Sequence, residues 1–181
     1  MIEFNQNLAN VEVKDGTFDN PQAGGFILQC IGVESKSSKA GNPMLVLSFD
    51  IADGKYKGNY AEHPRNYYQL INADQLGRVK GILQSFQKSN GSKLSVDSIS
   101  QSSFNEQNLK GLYVGAVLRA EEYLNKDNEA RMGLKVFYIC SIDTIKAGDF
   151  TIPNPKLLEA TGYSTEVDKR SAEEIDKSLP F

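Results

Sequence analysis

The chain has 181 residues, 40% hydrophobic and 24% charged, with net charge -3 at pH 7, two cysteines and one histidine. That composition belongs to a globular domain with a sizeable core, and it excludes a disulfide scaffold and a site built from several histidines. Charge is uneven: residues 53–146 carry 13 Lys/Arg against 10 Asp/Glu, residues 1–52 carry 3 against 6 and residues 157–181 carry 3 against 6. The basic middle keeps an anionic ligand open despite the net charge.

The opening MIEFNQNLAN has no basic start and no apolar run, so neither a signal peptide nor a membrane span is expected and the protein is read as cytoplasmic. Residues 1–21 form an N-terminal extension. GGFILQCIGVE, residues 24–34, is the first buried strand, and SKSSKAGN after it is a loop. In PMLVLSFDIADG, Leu45, Leu47, Phe49 and Ile51 share one parity, which predicts a half-buried second strand. Asp53-Gly54 predicts a hairpin leading directly into a third strand at KYKGNYAE, resuming at NYYQLI after Pro64.

The period then changes. Leu76, Val79, Leu83 and Phe86 recur at intervals of three and four and predict an amphipathic helix capped by Asn72 or Asp74 and ended by Asn90-Gly91. Gly77 and Gly81 inside it each cost roughly 1 kcal/mol relative to alanine. After a Ser- and Asn-rich loop over 89–103 come two long strands. LYVGAVLRAEEYL places Leu112, Val114, Ala116, Leu118 and Ala120 inward, and RMGLKVFYICSIDTI places Met132, Leu134, Val136, Tyr138, Cys140 and Ile142 inward, with NKDNEA as the turn between them. A short helix is expected around PKLLEAT.

Three strands, a helix and two strands, all antiparallel, predict a mainly β fold: a five-stranded OB-type Greek-key barrel over 22–155, with one helix between strands three and four. The alternative is an open α+β antiparallel sheet. Residues 156–181 form an acidic C-terminal tail.

Catalytic constellations are missing. There is no G-x-S-x-G, no H-E-x-x-H and no phosphate loop, and the neighbours Glu121 and Glu122 face opposite ways on a strand. We expect no catalysis and no cofactor or metal, with a nuclease of scattered carboxylates as the least favoured reading. His63 beside Pro64 reads as a loop histidine, and Cys30 and Cys140 as buried thiols. A binding face is easier to build. Tyr113, Arg119, Tyr123, Arg131, Lys135 and Phe137 occupy the non-core parity of the last two strands, and Lys55, Tyr56, Lys57, Tyr60, Arg65, Tyr67 and Tyr68 flank the second hairpin. Aromatic rings interleaved with cations suit a nucleic-acid single strand, because every base has a face to stack on and the cations follow the phosphates. The bland alternative is that these tyrosines only cover the sheet, which favours aromatic residues anyway.

GGFILQCIGVESKSSKAGNPMLVLSFDIADGKYKG, LGRVKGILQSFQKSN, LKGLYVGAVLRAEEY and GDFTIP together resemble small proteins of phages and integrative elements of Gram-positive bacteria, described as domains of unknown function or as single-stranded DNA-binding proteins. The resemblance covers most of residues 22–155 and implies an OB-like fold and a role in replication or recombination of a mobile element. The ending SAEEIDKSLPF resembles the tail of bacterial single-stranded DNA-binding proteins, which closes on Asp-Ile-Pro-Phe. Carried over, it makes Leu179, Pro180 and Phe181 the anchor for a replication or recombination protein and gives Glu173, Glu174 and Asp176 a steering role. Lys177 and Ser178 depart from that pattern. The partners implied are single-stranded DNA and proteins held by the tail, with no membrane; monomer and homo-oligomer both stay open.

Overall fold

The computed structural model describes residues 20–91, 94 and 104–158. Five strands, β1 (Gly24–Ser37), β2 (Pro43–Ile51), β3 (Arg65–Leu70), β4 (Tyr113–Leu124) and β5 (Ala130–Cys140), form one antiparallel sheet in the order β3-β2-β1-β4-β5. Helix α1 (Leu76–Asn90) lies between β3 and β4, as expected, and a second short helix, α2 (Ile142–Ala147), follows β5. No described helix is long and apolar enough to cross a membrane.

The sheet is open. β3 and β5 approach each other, but no ladder joins them among the described strands, so the closed barrel expected from the element order is not formed by hydrogen bonds. The strand order remains compatible with an OB-like fold.

Burial follows the predicted periodicities where neighbours can cover both the strand and the helix. Leu28, Cys30, Leu47, Phe49, Val114 and Leu118 are fully or almost fully buried on the core side, and α1 lays Ile82, Leu83 and Phe86 against them. The Phe86 and Phe49 rings stack with centroids 6.4 Å apart. Leu76, placed on the core face by period alone, is exposed, because it sits at the first turn where the chain leaves a 3-10 segment over Ala73–Gln75. The expected start cap falls one element earlier: Asn72 Oδ1 accepts from the Gln75 N–H at 3.0 Å and caps the 3-10 segment, while α1 itself begins after Gln75 with no side-chain cap. The helix ends as expected, at Asn90 with Gly91 beyond it, and the Asn90 side chain also bonds the N–H and C=O of Tyr113.

Three further expectations are corrected. The third strand does not begin at KYKGNYAE: residues 52–64 are successive turns, folded back because Asp50 Oδ1 accepts from the N–H groups of Ile51 and Tyr60, both at 2.8 Å. The fifth strand stops at Cys140, because Ser141 caps a helix, its Oγ accepting from the Thr144 N–H. Gly115 explains where α2 packs: a Cβ there would lie 2.4 Å from the Ser141 carbonyl oxygen, a contact only glycine tolerates. No helical turn forms at PKLL either. Lys156 instead bridges to β4, its N–H donating to Ala120 and its carbonyl accepting from Glu122. The rest of the predicted helix, residues 159–161, lies outside the described residues.

The NKDNEA turn is as read. Asn125 Oδ1 accepts from Asp127 and Glu129, and Asn128 takes a left-handed φ of 60°. β4 separates from β1 after Leu118, so β4 and β5 continue as a hairpin beyond the rest of the sheet. At that end Met132, expected inward, is exposed because no other strand covers it.

Candidate nucleic-acid interface

A cleft of about 1910 Å³ opens where the sheet fails to close, walled by β3, α1 and the β4–β5 hairpin. Eight of the thirteen predicted binding residues line it: Tyr60, Arg65, Tyr67 and Tyr68 from the β3 side, and Arg119, Tyr123, Lys135 and Phe137 from the hairpin.

On the β3 wall, register decides direction. Arg65 and Tyr67 pair with Phe49 and Leu47, so they point to the core side, whereas Tyr68 is paired with Val46 on the other face and is 58% exposed. The Arg65 guanidinium lies 4.2 Å from the centroid of Tyr60, a ring only 4% exposed. Tyr60 therefore serves as the floor for a cation and is packed rather than offered to a base. Burial raises the Tyr67 hydroxyl pKa against the opposing charge of Arg78.

The hairpin wall is more ordered. The Arg119 guanidinium lies 4.6 Å over the Phe137 ring, and Phe137 meets Tyr138 edge to face at 5.9 Å. Tyr123, 48% exposed, rests on Gly133, where a Cβ would come within 3.0 Å of the ring; the absent side chain seats the aromatic. Glu121 bridges the two cations of this wall, with Arg119 on Oε1 and Lys135 Nζ 2.8 Å from Oε2. The Nε atoms of both Arg65 and Arg119 are buried without a hydrogen-bond acceptor from the protein. Each guanidinium lies over a ring, and the outer nitrogen of Arg119 is taken by Glu121.

Burial works to raise the Glu121 pKa, but the hydrogen bonds and charges of Lys135 and Arg119 outweigh it and hold the carboxyl below its ordinary 4.5. A depressed folded pKa means the stabilisation is fully present above the unfolded value and is lost as pH falls through the folded one. Wild type should therefore melt at a higher temperature than Glu121→Gln at pH 7, and the gap should close below about pH 4. A gap that persists at pH 3 in parallel thermal melts would assign the bridge's effect to packing.

The other five predicted residues are elsewhere. Lys55, Tyr56 and Lys57 sit in the 52–64 turns, with Tyr56 packed near Phe26 at 6.5 Å and under Lys55 at 4.6 Å. Tyr113 is clamped by Asn90 away from the cleft, and Arg131 is paired with Glu129 at 2.7 Å. The tail residues Glu173, Glu174, Asp176, Leu179, Pro180 and Phe181 lie outside the described residues. Unforeseen cleft residues come from α1, where Arg78, Gly81, Ser85 and Lys88 share one face, and from His63, read as a plain loop residue. The spacing 78, 81, 85, 88 carried that signal on the polar side of the same helical period.

Cys30 is buried and Cys140 half-buried; burial pushes their thiols up to about 12 and about 11, so both stay protonated at neutral pH and act as small apolar groups. Among the described residues no group of three or more His, Cys, Asp or Glu side chains could hold a metal ion.

No curated protein matches the chain. Among solved structures it is similar to "Yeast RPA bound to ssDNA", at 12% identity and a TM-score of 0.33, over 82% of this chain and 94% of that one. Residues 4–129, more than half of the chain, match the family described as "Protein of unknown function (DUF669)", and the protein belongs to that family.

Proposed function

We propose that the protein binds single-stranded DNA without strong sequence preference, in the cleft between β3, α1 and the β4–β5 hairpin. The observation that carries this reading is the convergence, on the walls of one open cleft, of exposed rings (Tyr68, Tyr123), ring-mounted guanidiniums (Arg65, Arg119) and the lysines Lys88 and Lys135. Stacking is worth roughly 1–3 kcal/mol per base and is indifferent to base identity, while cations along both walls follow the phosphates. No catalytic step is part of the proposal. A role in replication or recombination of a phage or mobile element, with partner proteins recruited through Leu179, Pro180 and Phe181, is supported by the sequence resemblance alone.

Fluorescence anisotropy of labelled oligo-dT across a salt series tests it. Binding at low salt should weaken with log K falling by about 0.7 per neutralised phosphate for each decade of salt. Absence of binding at low salt, or a preference for duplex, sinks the reading.

A second reading, a protein-interaction or recombination-accessory module, is favoured by one observation. Leu124, Ile152, Leu157 and Leu158 are all at least 44% exposed, on the far hairpin and on the segment that carries the Lys156 bridge. It predicts that alanine changes there abolish capture of a protein partner and leave DNA affinity alone.

A further inference from the structure

Glu121 stands out in the cleft as an anion placed among the cations that are meant to meet phosphate. Its side chain is only 12% exposed, and each carboxylate oxygen is taken, Oε1 by Arg119 and Oε2 by Lys135. A carboxylate with both oxygens engaged by two cations presents the same fork as the two non-bridging oxygens of a phosphodiester. Glu121 is also paired across the strands with Gly133, the residue on which the Tyr123 ring is seated. A base stacked on Tyr123 would bring its own backbone phosphate to this neighbourhood.

We propose that Glu121 is a built-in competitor for a DNA phosphate, occupying the Arg119–Lys135 fork in the free protein and giving it up when the strand binds. This deepens the single-stranded DNA reading and rests on it. The two cations differ in how they respond. Arg119 is held by the Phe137 ring, with its side chain 17% exposed, and stays in place; Lys135, 65% exposed, can turn from carboxylate to phosphate. Each phosphate captured here must first release Glu121, so the site is self-limiting: affinity is set below what its cations could give, and a bound strand is let go more readily.

The test is anisotropy with labelled oligo-dT on wild type, Glu121→Gln and Glu122→Gln. Glu122→Gln removes the same charge from the next residue, which faces the other way and accepts from the Leu158 N–H. Glu121→Gln should bind about fivefold more tightly at low salt, the order expected for releasing partly exposed ion pairs, and Glu122→Gln should match wild type. The salt slope of Glu121→Gln should stay parallel to that of wild type, because the same phosphate fills the fork in both complexes and only the cost of releasing Glu121 is removed. Equal or weaker binding by Glu121→Gln, or the same gain in Glu122→Gln, overturns the competitor role while leaving the binding reading intact. Failure of wild type to bind at all overturns both. Should Glu121→Gln not fold, Glu121→Asp carries the test: it keeps the charge but is one methylene too short to span both cations, and a partial gain in affinity is expected, its absence counting against the proposal.

Discussion

Replacing Phe86 with alanine is expected to remove about 3–5 kcal/mol from the unfolding free energy, a large share of the 5–15 kcal/mol of a typical domain. Phe86 is fully buried and stacked on Phe49, which is fully buried as well, so truncation leaves a cavity with aromatic walls that neither helix nor sheet can readily collapse to fill. The lost contacts are those that fasten α1 to the sheet. Urea denaturation should show a lowered midpoint with an unchanged slope, because the surface exposed on unfolding hardly differs. A shift of under 1 kcal/mol would mean that α1 is held mainly by its polar ends, through Asn90 to Tyr113 and Ser89 to Ile142.

What was legible in the sequence was what a local period can encode. Leu45, Leu47, Phe49 and Ile51 alternate and are buried on one face of β2; Leu83 and Phe86 recur at helical spacing and are buried under α1. Asp53-Gly54 did mark a turn, but the turn closes on Asp50 and delays β3 by a whole loop, a side-chain to main-chain interaction that no period reports. Ile142 continues the inward parity of β5, which predicts strand; Ser141, a helix cap by composition, is the competing signal and prevails.

The site divides along the same line. Parity reports Arg119, Tyr123, Lys135 and Phe137, because β4 and β5 present them at intervals of two on a face that does not join the core. Lys55, Tyr56 and Lys57 carry a signal of composition alone, and the chain's return to Asp50 takes them off the cleft. The Glu121 bridge needs the register Arg119 to Lys135 and Glu121 to Gly133, which depends on a bulge at the Val117/Leu118 step. A one-residue slip would place every one of these groups on the other face. The openness of the sheet is likewise a tertiary outcome, since five strands in this order are equally consistent with a closed barrel and with the cleft observed.

Removing both exposed rings of the cleft should separate stacking from charge. Tyr68 and Tyr123 stand on different walls, are 58% and 48% exposed, and make little contribution to the core, so Tyr68→Ala and Tyr123→Ala should each leave the melting temperature nearly unchanged. If each ring stacks one base, the double variant loses about 2–6 kcal/mol of binding free energy, at least a thirtyfold weaker affinity for oligo-dT. No charge is removed, so the salt slope should stay parallel to that of wild type. Tyr113→Ala is the control: its ring is also exposed, at 40%, but Asn90 holds its backbone outside the cleft, and its loss should not change affinity. Full additivity of the two single changes would place two different bases on the two walls, whereas a double variant no worse than either single one would place a single base between them. A double variant within twofold of wild type would show that the rings merely cover the sheet, and the cleft would then have to hold its strand by the phosphates alone.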